Sequence, residues 1–265
     1  MNRKPYPTDY TDEQYELLEC RIPPPELLGR KRTLDLREVF NALNYLNRTG
    51  CQWRLLPREF PAWQTVYYYF RKWRDADWFL SWNDSLREEL RQASGRSADP
   101  SAAIIDSQSV KTTEAADERG YDAGKKINGR KRHALVDTLG LAICFLVLSA
   151  NIQDRDGAKA LFEEIKDRMP RLKLIWADGG YRGKLISWVS ETCCWLLQVV
   201  LRKDNVKGFH VLPRRWVVER TFAWLGRNRR LSKDYERKAK SEEAFCYYAM
   251  INLMLRRLAP AKAST

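Results

Sequence analysis

Residues 212–230 have the sequence Leu-Pro-Arg-Arg-Trp-Val-Val-Glu-Arg-Thr-Phe-Ala-Trp-Leu-Gly-Arg-Asn-Arg-Arg, and their spacing predicts one helix with Pro213 in its first turn. The apolar stripe of this helix comprises Val217, Val218, Thr221, Trp224 and Leu225. Glu219 lies on another face, one turn after Arg215. This carboxylate is either half of a solvated ion pair with Arg215, or part of a site completed by residues elsewhere in the chain.

Two apolar runs upstream of this helix are followed by an aspartate. Residues 102–105 predict a short buried strand that is followed directly by Asp106. Residues 172–177 predict another strand, followed by Asp178. A carboxylate just past the end of a buried strand is held rigidly at the edge of a sheet, where it is well placed for chemistry. Taken singly, each aspartate could equally be a turn or capping residue.

The change of hydrophobic period along the chain predicts two domains. Residues 1–95 carry helical patterns only, and residues 94–100 form a polar linker that ends in proline. Beyond the linker, three predicted strands are followed by alternating helices and strands, with a last apolar helix at 241–258. We therefore expect an all-α domain at 1–95 and an α/β domain at 96–260. Residues 111–129 are polar and punctuated by glycine, and together with the basic run that ends at His133 they predict a loop.

Two predicted helices of the N-terminal domain, at about 36–49 and 62–74, suggest a helix-turn-helix. The second one combines aromatic and basic residues. Its outward side chains would contact DNA, and they are Gln64, Thr65, Tyr68, Arg71 and Lys72. An ordinary helical subdomain with tightly packed aromatic residues fits the pattern equally well.

The overall charge predicts a nucleic-acid partner. The 265 residues carry a net charge of +13, with a pI of about 9.5. Residues 202–240 contain 13 Lys and Arg against 4 Asp and Glu, and residues 119–133 contain 6 against 1. Basic clusters of this kind follow phosphates along a DNA backbone. The alternative for each single basic residue is a solvated surface position.

Cysteine usage and hydropathy argue against three other classes. None of the six cysteines forms a C-x-x-C pair, so neither a zinc site nor a disulfide framework is expected. The sequence shows no signal peptide and no apolar run of 18 residues. We expect a soluble protein of the bacterial cytoplasm, associated with the nucleoid, with no membrane partner and no small-molecule substrate.

If Asp106, Asp178 and Glu219 converge, their mutual repulsion must be offset. Two unit charges at 4 Å repel by about 4 kcal/mol at an effective dielectric of 20. Two divalent cations held by oxygen ligands supply the opposite charge, and they stabilise the attacking and leaving oxygens of an in-line phosphoryl transfer. Three other aspartates have plainer interpretations: Asp137 as a hairpin residue, and Asp154 and Asp156 as helix caps.

Four motifs in order resemble the DDE transposases of bacterial insertion sequences, most closely those of the IS-five family. The motifs are Ile-Ile-Asp-Ser-Gln-Ser (104–109), Gly-Arg-Lys-Arg-His (129–133), Trp-Ala-Asp-Gly-Gly-Tyr-Arg-Gly (176–183) and Arg-Arg-Trp-Val-Val-Glu-Arg-Thr-Phe-Ala-Trp (214–224). Residues 50–57 and 63–68 are also similar to the N-terminal region of that family. The resemblance therefore extends over nearly the whole chain.

The resemblance implies a ribonuclease-H-like core with a mixed five-stranded sheet flanked by helices. Asp106, Asp178 and Glu219 would be its catalytic residues and the ligands of two Mg²⁺ ions, with Mn²⁺ as a substitute. Arg215 matches the arginine that the family carries four residues before the glutamate, and it would orient Glu219 or a phosphate. The implied reaction is hydrolysis at the ends of an element, followed by attack of the 3′-hydroxyls on target DNA, by a homodimer or a larger synaptic complex.

The basic clusters would then hold double-stranded DNA. These residues are Lys125, Lys126, Arg130, Lys131, Arg132, Arg220, Arg227, Arg229 and Arg230. The chain departs from the family pattern at Leu212, where a tyrosine is usual, and at Gly226, where a basic residue is usual. Two other functions stay open from the sequence: a stand-alone metal-dependent nuclease, and a DNA-binding repressor or domesticated protein without catalysis.

Overall fold

The computed structural model describes residues 3–24, 33–201 and 214–260. The helices are α1 (Asp12–Glu19), α2 (Leu36–Thr49), α3 (Trp63–Asp75), α4 (Trp78–Ala93), α5 (Asp154–Ile165), α6 (Lys184–Cys193), α7 (Trp216–Gly226) and α8 (Ala239–Leu258). The strands are β1 (Ala102–Lys111), β2 (Gly120–Asp122), β3 (Ile127–Asp137), β4 (Ala142–Ser149), β5 (Leu174–Ala177) and β6 (Leu196–Val199). No helix in these ranges is both long enough and apolar enough to cross a membrane.

The sheet has the strand order expected of a ribonuclease-H-like fold. Strand β1 lies at its centre, antiparallel to β3 on one side and parallel to β5 on the other. Strand β4 extends the antiparallel side, and β6 extends the parallel side. Helices α5 and α6 connect β4 to β5 and β5 to β6. The predicted mixed sheet flanked by helices is thus confirmed, with the short strand β2 as a sixth member beside β3.

Two apolar cores cover the two faces of the sheet. One core contains Ile105 and Leu135 and packs against α5 and α6. The other contains Ile104 and Val136 and packs against α7, α8 and the N-terminal helices. Because neighbouring residues of a strand point to opposite faces, β1 and β3 each contribute to both cores.

Helix α8 is buried on nearly all sides and joins the N-terminal helices to the sheet. It packs against β4 on one side, and against α1, α2, α3 and α4 on the other. Its apolar residues therefore surround the helix and do not form a single stripe, as expected for a central helix. The hydroxyl of Tyr10 donates to the hydroxyl of Tyr248, which in turn donates to the carbonyl of Phe40. The N-terminal helices and α8 consequently share one hydrophobic core.

The helix boundaries in the N-terminal region follow the local sequence signals. Asp35 caps α2 by accepting from the N–H of Arg37, and Gly50 ends the helix in a left-handed conformation with φ of 72°. Residues 50–62 connect α2 to α3 and include a short 3₁₀ turn. This connection is longer than the three or four residues that are usual in a helix-turn-helix. The region is helical as predicted, and its resemblance to that compact motif is loose.

Three sequence predictions about the α/β region were wrong in their boundaries. Strand β1 continues to Lys111, so Asp106 lies within the strand and not after it. Strand β3 begins at Ile127, so the basic run at 129–133 is part of a strand and not of a loop. Helix α7 begins at Trp216, after Arg214 with a positive φ of 71°. The predicted helical positions of Leu212 and Pro213 lie outside the described residues.

The basic residues of β3 are buried and paired, so they were wrongly predicted to contact DNA. Arg130 forms an ion pair with Asp234 at 2.9 Å, and Arg132 forms one with Glu242. Lys131, on the opposite face, pairs with Asp154 at 2.9 Å. Arg230 is also buried and pairs with Glu236 at 2.5 Å. A guanidinium group enters the interior only with a compensating carboxylate, and that carboxylate excludes a phosphate from the same position.

Arg130→Gln should lower the free energy of unfolding by about 3–5 kcal/mol, because it leaves the buried carboxylate of Asp234 without its partner. Arg229→Gln changes the same charge at an exposed position nearby and should alter stability by less than about 0.5 kcal/mol. Urea unfolding followed by circular dichroism measures both values. Equal stabilities of the two variants would contradict the structural role of Arg130.

Glu243→Gln should stabilise the protein above pH 7. Burial raises the pKa of Glu243 to about 7, although the N–H of Val147 donates to its Oε1 at 2.8 Å. The folded state therefore binds the proton more tightly than the unfolded state, whose glutamate pKa is about 4.3. Its stabilising effect is complete below the unfolded pKa and is lost as the pH rises through 7. Glutamine keeps the acceptor without the charge, so unfolding at pH 8 should cost about 1–2 kcal/mol more. The two proteins should have nearly equal free energies of unfolding at pH 4. An equal difference at pH 4 and pH 8 would refute the raised pKa assigned to Glu243.

Candidate active site

The side chain of Arg215 lies between the three predicted catalytic carboxylates. Its Nη2 atom is 3.7 Å from Asp106 Oδ2, 3.7 Å from Asp178 Oδ2 and 3.7 Å from Glu219 Oε1. The ion pair with Glu219 that the helical spacing predicted is therefore present, and it is shared with two further acids. The structure brings together residues from a central strand, the neighbouring parallel strand and a helix that are far apart in sequence.

Strand geometry positions the two aspartates. Asp106 follows Ile104 on the face of β1 that is covered by α7, and its Oδ1 accepts from the N–H of Ser107 at 2.7 Å. Asp178 directly follows β5, which pairs in parallel with β1. Its Oδ1 accepts from the N–H of Gly180 at 2.8 Å and caps a short 3₁₀ turn, while its Oδ2 faces Arg215. Asp178 is therefore both a capping residue and a member of the cluster.

Helix α7 is anchored to the β3–β4 hairpin, which fixes the position of Glu219. The hydroxyl of Thr221 donates to the carbonyl of Gly140 at 2.8 Å, and Nη2 of Arg220 donates to the carbonyl of Leu139 at 2.9 Å. Asp137 holds the hairpin as predicted, since its Oδ1 accepts from two N–H groups of the turn. Glu219 itself lies in the first turn of α7 with 53% of its side chain exposed, so it faces the solvent side of the cluster.

The pKa of Asp106 reflects its position as the least exposed of the three acids. Burial raises the pKa of Asp106 to about 6, and the neighbouring Asp178 acts in the same direction. The N–H of Ser107 and the guanidinium of Arg215 oppose this effect without cancelling it. Arg215 and Lys125 thus offset only part of the effect of burial on this carboxylate, and a further cation would be bound favourably there.

A second polar group supports β1 from the opposite face, and its role was not predicted from the sequence. The hydroxyl of Ser107 donates to Asp154 Oδ1 at 2.8 Å, and Asp154 also pairs with Lys131. Asp154 and Asp156 were wrongly predicted as caps: helix α5 is preceded by Gln153, and both aspartates lie in its first turn. Tyr181 is buried, and burial together with the negative charges of Asp106, Asp154 and Asp178 raises the pKa of its hydroxyl well above the usual value.

The three carboxylates fit a divalent metal in their chemistry but stand too far apart to bind one as arranged. Oxygen atoms of aspartate and glutamate are the ligands that Mg²⁺ prefers, at about 2.0–2.1 Å. Among residues 3–24, 33–201 and 214–260, no group of three potential ligands is spaced to hold a metal ion. The space between the carboxylates contains Arg215 Nη2, 3.7 Å from each. Metal binding therefore requires Arg215 to move away and the carboxylates to approach one another.

Other residues predicted to bind DNA are on the surface, in three places. Lys125 and Lys126 are exposed on the turn between β2 and β3, and Nζ of Lys125 donates to the carbonyl of Ser107 at 3.2 Å, beside Asp106. Arg227 and Arg229 are exposed just beyond α7, and Arg220 is partly buried on it. The third place is helix α3, where four side chains are exposed and Thr65 is partly so. The exposed ones are Gln64, Tyr68, Arg71 and Lys72.

Comparison with known proteins identifies the family of most of the chain. Residues 97–254 match the family model described as the transposase DDE domain. Residues 10–82 match a second model, provisionally described as a transposase of the IS4/5 family. The first match contains Asp106, Asp178, Arg215 and Glu219.

Similarity to individual proteins is more distant. The chain is 28% identical to a protein from Burkholderia cepacia, provisionally named as the transposase of insertion sequence element IS402, over 44% of this chain. It spans only 58% of the length of that relative. Two solved structures of Mos1 transposase, a paired-end complex with the left transposon end and a strand transfer complex, match at 12% and 13% identity. They cover 88% and 92% of this chain, and 80% and 82% of their own, with TM-scores of only 0.25 and 0.24. On the strength of the family match over residues 97–254, the chain belongs to the DDE transposases of insertion sequences.

Proposed function

We propose that this protein is a DNA transposase that binds the terminal inverted repeats of an insertion sequence and catalyses 3′-end cleavage and strand transfer. The observation that carries the proposal is the convergence of Asp106, Asp178 and Glu219 around Arg215 at one edge of a ribonuclease-H-like sheet. Three acids at one point of a protein with a net charge of +13 suit a polyanionic substrate that is processed with the help of cations.

The three carboxylates would hold two Mg²⁺ or Mn²⁺ ions, with Asp106 shared between them and Asp178 and Glu219 each binding one. Bound there, the ions would favour deprotonation of the attacking water or hydroxyl and stabilise the charge on the attacking and leaving oxygens. This role requires Asp106 to be ionised, and its raised pKa makes the buried carboxylate a group that gains from a cation.

The proposed reaction has two steps. In the first step, water attacks the scissile phosphorus, a new P–O bond forms, and the 3′-oxygen of the element leaves. In the second, that 3′-hydroxyl attacks a phosphorus of the target DNA and displaces its 3′-oxygen. Neither step needs a covalent enzyme intermediate.

The chain's own residues position the substrate. Arg215, once displaced from the centre of the cluster, is close enough to contact a non-bridging phosphate oxygen, and Lys125 beside Asp106 can contact the adjacent phosphate. Two element ends are processed together, which calls for a homodimer or a larger synaptic complex.

Asp106→Asn, Asp178→Asn and Glu219→Gln should each lower DNA cleavage by about a thousand-fold or more, because each removes a negatively charged ligand while keeping the shape of the side chain. The measurement is a strand-resolved cleavage and joining assay on the DNA that flanks this gene, with Mg²⁺, Mn²⁺ or chelator. Binding of the same DNA in chelator should change less than about twofold.

Glu163→Gln is the matched control, because it neutralises an exposed carboxylate on α5, away from the cluster. It should leave cleavage unchanged. Retention of cleavage in any of the three site variants would refute the assignment of that residue. Cleavage without joined products would indicate a nuclease, and binding without cleavage in any metal would indicate a repressor.

For helix α3 we propose a role in recognising the element ends. The double variant Gln64→Ala/Arg71→Ala should reduce the preference for an end-containing duplex over a random one by about tenfold, because base contacts carry the specificity. Competition binding in chelator measures this preference. The control is Lys166→Ala, which removes one positive charge at an exposed position outside α3. Deletion of residues 1–95 is unsuitable as a test, because it would expose the shared core around α8. An unchanged preference in the double variant would exclude α3 as the reading helix.

A further inference from the structure

The surface of α7 beside the carboxylate cluster carries a stacked series of aromatic and basic side chains. The guanidinium carbon of Arg220 lies 4.5 Å from the ring centre of Trp216 and 4.6 Å from that of Trp224. Arg257 of α8 lies on Trp224 at 4.4 Å. These stacks hold the planar guanidinium groups in defined orientations, with hydrogen-bond donors still available at their edges.

A second group of arginines continues the series where α2, α7 and α8 meet. Arg48 of α2 donates from Nη1 to the carbonyl of Arg227 at 3.1 Å, just past the end of α7. Arg48, Arg227 and Arg256 line a surface cavity of about 150 Å³ together with Trp224. We call the seven residues of both groups the arginine–tryptophan face: Arg48, Trp216, Arg220, Trp224, Arg227, Arg256 and Arg257.

No ion pair neutralises the positive charge of this face within the described part of the chain, although the more distant carboxylate of Asp137 acts on Arg220 and Arg257. None of its five arginines forms an ion pair with a carboxylate of residues 3–24, 33–201 or 214–260. Burial and the charges of Arg256 and Arg227 lower the pKa of Arg48, and burial and Arg220 lower that of Arg257. In contrast, the buried Arg130 and Arg132 each form an ion pair with a carboxylate. Arg48 and Arg220 are half-buried, and Arg227, Arg256 and Arg257 are exposed. A cluster of arginines without ion-pair partners favours an external anion.

The face begins at the proposed catalytic cluster and leads away from it. Trp216 follows Arg215 in the chain, and Arg220 follows Glu219, so the face lies next to the acidic face of the same helix. Residues 216 and 227 are separated by about 17 Å along α7, from a rise of 1.5 Å per residue. Consecutive phosphates of one DNA strand are farther apart along the backbone than their rise of about 3.4 Å along the duplex axis, so a face of this length matches a few consecutive phosphates and fewer than five.

We propose that the arginine–tryptophan face binds the backbone of one DNA strand over a few consecutive phosphates adjacent to the scissile phosphate. This proposal rests on the proposed function for the identity of the anion. It assigns Arg48, Arg256 and Arg257 to DNA binding, and it makes the N-terminal helix α2 and the C-terminal helix α8 parts of one binding surface with α7.

The test measures the salt dependence of DNA binding, which reports the number of neutralised phosphates. The probe is a fluorescein-labelled random-sequence duplex of 30 base pairs, in chelator, at KCl concentrations from 50 to 200 mM. Each phosphate contact contributes a slope of about −0.9 in the logarithm of affinity against the logarithm of salt. For Arg48→Gln/Arg256→Gln we expect a slope that is less steep than wild type by about 1.8.

Two matched variants make the result specific. Arg96→Gln/Lys173→Gln removes the same charge from exposed positions elsewhere and should keep the wild-type slope. Arg48→Lys/Arg256→Lys keeps the charge and should also keep the slope, which separates loss of phosphate contacts from loss of folding. A slope in Arg48→Gln/Arg256→Gln equal to that of the charge-matched control would overturn the proposal.

A second measurement locates the strand. Neutral methylphosphonate linkages are placed one at a time at the five positions on each side of the cleaved phosphodiester. Wild type should lose affinity at consecutive linkages on one side, and the glutamine double variant should show no further loss there. Equal interference in both proteins would refute the proposed path. Because the salt experiment needs no cleavage, a protein that shows the slope change without cutting DNA would refute the proposed function and leave the binding face standing.

Discussion

The alternation of side chains along β1 and β3 is the constraint on which the rest of the structure depends. In the observed register Asp106 pairs with Ala134, and Gln108 pairs with Arg132. The register therefore decides which face of the sheet each charged side chain reaches. Asp106 and Arg132 point toward α7 and α8, whereas Ser107 and Lys131 point toward α5. A slip of one residue would reverse every assignment and bury each charge against the wrong partners. The register therefore fixes both the position of Asp106 and the ion pairs that stabilise the sheet.

Those ion pairs connect the sheet to the end of the chain. Arg132 reaches Glu242 in the first turn of α8, and Arg130 reaches Asp234 in the segment before it. Since α8 also forms the centre of the N-terminal helical core, the same contacts hold α1–α4 against the sheet. Breaking one pair leaves an unpaired buried charge, which costs far more than a surface pair contributes. The N-terminal helices are thus positioned relative to the carboxylates by buried charge as well as by apolar packing.

The sequence predicted whichever features depend on local pattern. The helices at about 36–49 and 62–74 and the succession of strands and helices after residue 100 depend on neighbouring residues, and the structure confirms them. The basic run at 129–133 was misplaced because its partners Asp234 and Glu242 lie about a hundred positions later. A charged residue within a strand is easily assigned to a loop when its counter-ion is not known, because charged residues are seldom buried without a partner. Arg48 and Arg256 were missed for the same reason, since only folding brings α2 next to α8.

The two charged faces of α7 together determine how a phosphodiester can approach. One face presents Glu219 and, through Arg215, two partly buried aspartates, while the adjacent face presents Arg220 and Arg227, which form no ion pair with a described acid. A DNA strand would be attracted to the second face and repelled from the first, unless added positive charge balances the carboxylates. The pKa of Asp106 stays raised beside Arg215, chiefly because the carboxyl group is buried and also because Asp178 is close. In the proposed function, a phosphodiester would therefore come close to the carboxylates together with cations, and charge would link substrate binding to metal binding.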